Sequence, residues 1–179
     1  MPQDRSVSAW VAVVGGAAAA SVVAAPLWFL FVARWGKGAV WQGVDVLFVD
    51  LWSLVALMTV SAAVHELLHA VGWTMAAKVP WRAVRFGFHW PTLSPYAHLT
   101  VPVAARPYRV GTALPGLVLG TAPAGAALVT GNGAWLVYGL TMLLAAGGDL
   151  VVLVLLSRVP GDWLVQDSAH RVGAVVWPS

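Results

Sequence analysis

Four long apolar stretches constrain this chain more than any other feature. They run from about Trp10 to Ala33, Leu47 to Ala77, Val110 to Thr130 and Ala134 to Leu156. The hydrocarbon core of a bilayer takes roughly 20 helical residues to cross, and each stretch is long enough. Only 9% of the 179 residues are charged and 60% are hydrophobic. A water-soluble domain carries about a quarter charged residues, because its surface has to be wetted. The expectation is an all-α polytopic membrane protein, one unit over residues 1–179 with about four transmembrane helices in the lipid bilayer. Its eleven Trp are expected at the headgroup levels.

The first stretch has one competing interpretation. Arg5 before it and Val23-Ala24-Ala25 within it resemble a secretory leader with its cleavage site. Its apolar run exceeds the usual 7–15 residues of a leader core, and Pro26 directly follows the candidate cut. Retention as a membrane span is therefore expected. Lys and Arg set the orientation. With both termini cytoplasmic, eight of the ten cations fall on the inner side and only Arg34 and Lys37 outside, as the positive-inside rule favours.

Between the second and third stretches the pattern changes. Val84, Phe86 and Phe88 alternate with Arg85, Gly87 and His89, a strand-like period of two. Pro91-Thr92-Leu93-Ser94-Pro95 reads as a turn, and Tyr96 to Val103 as a second strand. A short β-hairpin is expected in the region 82–103, lying against the membrane face. No basic cluster with interleaved aromatics is present, so nucleic acid is not an expected partner.

The second stretch carries His65-Glu66-Leu67-Leu68-His69. Residues four apart share a helix face, so the two imidazoles point to one side and can grip one ion. Glu66 projects beside them, where it can take a proton from an attacking water. It is also the only glutamate in the chain. Ionisable groups within a bilayer span cost several kcal/mol and are seldom there without a task. The plainer alternative is two packing histidines beside a neutralised glutamate.

A catalytic zinc usually takes three protein ligands and keeps one position open. The chain has no cysteine, so the third donor has to be an imidazole or a carboxylate. Asp149, in Gly147-Gly148-Asp149, is the only other acid deep in an apolar stretch. Asp149 precedes Arg158 by nine residues, as His69 precedes Lys78. Both groups therefore lie about 13 Å from the ends of their helices. Gly147, Gly148, Gly72 and Ser61 are small enough to let those helices approach. His89 is expected on the polar side of its strand and His170 in solvent. His98 is a candidate for substrate contact or for stabilising the charge that develops on a scissile carbonyl.

Together, His65-Glu66-Leu67-Leu68-His69-Ala70-Val71-Gly72 and the later Gly147-Gly148-Asp149 resemble the membrane zincins related to site-2 proteases. The likeness is closer to a bacterial and archaeal family of zincin peptidases, and runs from about His65 to Val176. It includes Tyr96-Ala97-His98, Pro102, Tyr108-Arg109-Val110-Gly111, Leu114-Pro115-Gly116, Gly120, Pro123 and Asp167 before Gly173. Site-2 proteases typically carry an Asn-Pro element and an Asp-Gly pair; here Leu114 precedes Pro115 and Leu150 follows Asp149. The resemblance implies His65, His69 and Asp149 as zinc ligands and Glu66 as acid/base. It also implies cleavage of a membrane-embedded protein or peptide substrate within a prokaryotic cell membrane. Two other functions fit the same residues: a zinc-binding interaction protein without proteolysis, and a metal transporter. The sequence leaves the oligomeric state open.

Overall fold

A computed structural model describes residues 1–90, 94–168 and 171–178, with the side chains of His89 and Ser94 outside that description. The predicted turn residues Pro91, Thr92 and Leu93, and His170, also lie outside the described residues. Strand β1 (Gln3–Val7) leads into α1 (Ala9–Leu47), followed by α2 (Leu51–Ala77). Strands β2 (Val84–His89), β3 (Ser94–Leu99) and β4 (Val103–Ala104) precede α3 (Ala105–Pro115). A π-helical segment, Gly116–Thr121, joins α3 to α4 (Ala122–Thr130). Helices α5 (Gly133–Ala145) and α6 (Gly147–Leu156) and strands β5 (Leu164–Asp167) and β6 (Val172–Trp177) complete the chain.

Among the described residues, three helices are long and apolar enough to cross a membrane: α1, α2 and the continuous run Ala105–Thr130. Helices α5 and α6 make a fourth if their 53° bend counts as one broken span. Three helix boundaries differ from the apolar stretches. Helix α1 continues past Ala33 to Leu47, kinked where Gly36 takes φ 80°. Helix α2 begins only at Leu51, because the Asp50 side chain caps it by accepting from the Ser53 amide at 2.8 Å. The third helix starts at Ala105, five residues before its apolar stretch.

The all-α expectation needs correction. Besides the hairpin there is an antiparallel four-stranded sheet in the order β1-β6-β5-β4. It pairs Gln3 with Val176 and Val7 with Val172, so the two ends of the chain meet at one end of the helix bundle. Pairing between residues so far apart in sequence leaves no local signal beyond a short valine-rich run. The principal core gathers at this sheet end, where Ala70 and Trp73 of α2 meet Val84, Leu99, Tyr108, Leu156 and Val176. A smaller core, Phe31, Val40, Ala124, Ala127 and Leu136, closes the other end.

The hairpin falls in the predicted region, with Arg85 opposite His98 and Gly87 opposite Tyr96. Its second strand ends at Leu99, and Val103 joins the larger sheet instead. Its second strand lies against α2. Leu99 packs in the core with Trp73, the Ala97 amide reaches Glu66, and Pro95 shares a cavity with Met58 and Ala62. The strand thus runs down α2, and Glu66 lies about 16 Å along that helix from its end at Ala77.

Candidate metal centre

Two helices supply the candidate donors. In α2 the four-residue spacing stacks His65 above His69, with ring centroids 4.9 Å apart. Asp149 lies in the first turn of α6, just past the break at Ala146, where a carboxylate is favoured by the helix dipole. The break depends on a close approach. A Cβ on Gly147 would stand 2.9 Å from the backbone of Gly16 in α1, so only glycine lets α1 cross here. Gly148 faces open space and plays no such part.

The carboxylate bridges the two rings. Asp149 Oδ2 lies 3.0 Å from His65 Nε2, and Oδ1 lies 3.2 Å from His69 Nε2. One ligand atom from each residue falls within 4.8 Å of the others, and among the described residues no other group of three such donors exists. His69 Nδ1 lies 3.1 Å from the Gly111 carbonyl. A carbonyl only accepts, so Nδ1 carries a proton, and in the neutral ring Nε2 is the nitrogen with the lone pair to offer a metal. That outer hydrogen bond fixes the tautomer a metal needs. It exists because α3 lies almost against α2: a Cβ on Gly72 would come within 2.6 Å of the Gly111 Cα. Trp73 stacks on His69 at 5.1 Å and on Tyr108 at 5.7 Å, backing the ring from behind.

The donor set suits zinc. Two neutral imidazoles and one carboxylate make three protein ligands, leaving a fourth position open. A divalent cation would also balance the charges of Asp149 and Glu66, which are costly if buried unpaired. On the open side lies a cavity of about 280 Å³ lined by His65, Glu66, Met58, Ala62, Pro95 and Met142.

Glu66 does not touch the bridging carboxylate in the hydrogen-bond pattern. Its Oε2 accepts from the Ala97 amide at 2.6 Å. Two residues along the same outer edge of β3, the Leu99 amide donates to Asp167 Oδ2 at 2.7 Å. The Tyr108 hydroxyl donates to the other oxygen of Asp167. His98 sits beside this second carboxylate, with Nδ1 3.6 Å from Asp167 Oδ2, and is not among the grouped donors. Burial raises the Asp167 carboxyl above its ordinary value, against the opposing effect of these donors.

Residues 58–164, more than half of the chain, match the model of a protein family described as "Putative zincin peptidase". The chain belongs to that family. No curated protein and no solved structure matches it. The matched span of this zincin-family chain includes His65, Glu66, His69, Tyr108 and Asp149 and stops just short of Asp167.

Two participants were given no role from the sequence. The Ala97 amide is a backbone group, invisible in a residue pattern. Asp167 closes a short alternating run, Leu164-Val165-Gln166-Asp167, which was the available sign of a strand ending on a carboxylate. The third helix carries Pro115, Gly116, Gly120, Pro123 and Gly125, residues that either interrupt a helix or let it pack tightly. It is continuous, and the packing role fits: Gly120 meets Leu143 and Gly116 meets Ala146 of the neighbouring helix layer. Between the two prolines the helix widens to a π-turn, with the Thr121 hydroxyl donating to the Gly116 carbonyl at 3.3 Å.

Proposed function

We propose that this chain is a zinc-dependent endopeptidase that cleaves membrane-embedded protein or peptide substrates within the bilayer, in the manner of the site-2 proteases. One observation carries this reading. The imidazoles of α2 and the carboxylate of α6 converge on one point beside Glu66, in helices built to cross a membrane. His65, His69 and Asp149 would hold the ion, and zinc in such a site polarises a carbonyl and lowers the pKa of a water.

The chain's own groups divide the remaining work. Glu66 takes the proton of the attacking water and returns it to the leaving amine. His69 is held in register by Gly111 and Trp73. The cavity between α2, α5 and β3 admits an apolar side chain next to Glu66. An unwound substrate segment laid along β3 as an added strand gains the Ala97 amide by taking it from Glu66, freeing that carboxylate for the water. His98, one residue along, is placed to contact the same segment. Both termini and the hairpin share one end of the bundle, and the Lys/Arg distribution favours the cytoplasmic side for that end, in keeping with a proposed home in a prokaryotic cell membrane.

A transporter is less well supported. The hydroxyls of Thr59 and Thr141, in the outer half of the bundle, donate to Val55 and Val137 of their own helices, so they do not form a polar path. Glu66→Gln separates the peptidase from a zinc-binding protein without proteolysis. In proteoliposomes holding a single-span reporter, the variant should keep its zinc and lose cleavage by about 10²–10⁴-fold. Cleavage that persists in the variant, or is absent from wild type across reporters, would remove the peptidase reading.

A further inference from the structure

We propose that Asp167 is a positioning residue for the metal centre, holding the β3 edge that meets Glu66 and the aromatic stack that backs His69. Its two oxygens reach two different elements. Oδ2 accepts from the Leu99 amide at 2.7 Å, which fixes β3 two residues from the point where the Ala97 amide donates to Glu66. Oδ1 accepts from the Tyr108 hydroxyl; Tyr108 stacks on Trp73, and Trp73 on His69. Trp73 is pinned as well, its indole N–H donating to the Tyr108 carbonyl at 3.1 Å.

The position matters because Asp167 is the last residue of β5, a strand paired through β6 to β1 at the other end of the chain. One carboxylate thus ties the sheet that joins both termini to the base and to one ligand of the centre. Its side chain is 13% exposed. A carboxylate set so deep costs free energy unless its acceptor sites are filled, and here the Leu99 amide and the Tyr108 hydroxyl fill one oxygen each. Outer groups that orient a metal ligand typically change metal affinity 10–100-fold when lost.

The role rests on the zinc site described above, but not on peptidase activity, and its test is built accordingly. Full-length Asp167→Ala, Asp167→Asn and Tyr108→Phe proteins in nanodiscs are compared with wild type by zinc affinity, by the visible spectrum of the cobalt(II)-loaded site, and by hydrogen exchange of the metal-free hairpin. Asp167→Ala should weaken zinc by about tenfold or more, alter the cobalt spectrum and speed exchange at Ala97 and Leu99. Tyr108→Phe should weaken zinc while leaving Leu99 protected, because it removes only the hydroxyl bond that ties the stack to Asp167. Asp167→Asn, which keeps one acceptor oxygen, should fall between wild type and Asp167→Ala, and stands in if the alanine variant does not fold. With an active reporter, kcat should fall and KM stay nearly constant.

A lower melting midpoint with unchanged zinc affinity, cobalt spectrum and hairpin exchange would overturn the proposal, since that is the mark of a merely structural carboxylate. If wild type cleaves no reporter while Asp167→Ala still loosens zinc, the positioning role stands and the peptidase reading fails.

Discussion

The two halves of α2 differ in what surrounds them. Near its start, Leu51, Trp52 and Val60 are 67%, 80% and 61% exposed. Further along, His69 and Trp73 are 5% and 3% exposed, and Ala70 is fully buried. Hydropathy alone does not separate these halves, because both are apolar. What separates them is the company they keep. The second half meets a glycine of α3, a carboxylate of α6 and the edge of β3. In lipid, apolar burial gives helices little reason to associate, so small residues and hydrogen bonds decide where they pack. They are concentrated where the candidate centre is.

The contrast can be broken most severely at Gly111. A side chain there would occupy the space of the Trp73 ring. Gly111→Val should therefore cost about 1–3 kcal/mol by overpacking, push α3 from α2 and strip the Gly111 carbonyl from His69. Thermal melts and zinc content measured on the same preparation would check this; unchanged zinc content would show that the close approach does not matter.

A milder probe lies at the boundary between the halves. Ser61 shares a 3.0 Å hydrogen bond with the Tyr138 hydroxyl. Removing it in Ser61→Ala should cost about 0.6–1 kcal/mol, the usual range for an interhelical bond in a membrane. Unfolding titrations in mixed micelles would measure it, and a loss of several kcal/mol would mean that the polar network reaches further out than described. The smallest effect is expected at Leu51→Ala. Its side chain is exposed, so stability should stay within about 0.5 kcal/mol of wild type. A large loss there would mean that this face is covered by protein.

How much of this was legible in the sequence follows the same division. The four-residue spacing of His65 and His69, the rarity of Glu66, and the equal depth of Asp149 and His69 are local or countable properties, and they pointed to residues that the fold brings together. The β2 strand was legible too, because alternation over Val84–Phe88 is a local signal, whereas its register against β3 was not. The terminal sheet was not, since Gln3 and Val176 are neighbours only after folding. The break between α5 and α6 left only Gly147-Gly148 as its sign, which reads equally well as helix packing. His98 illustrates the limit. It was singled out as a side chain near substrate, whereas the contact to Glu66 is made by the backbone of the residue before it.

The central claim is that a carboxylate from α6 completes a metal site begun by two imidazoles of α2. Zinc stoichiometry and affinity of purified Asp149→Ala, measured beside wild type and His65→Ala, test it most directly. Wild type should hold one zinc tightly per chain, and both variants should lose that tight binding. Retention of wild-type affinity in Asp149→Ala would contradict it and place the third ligand elsewhere.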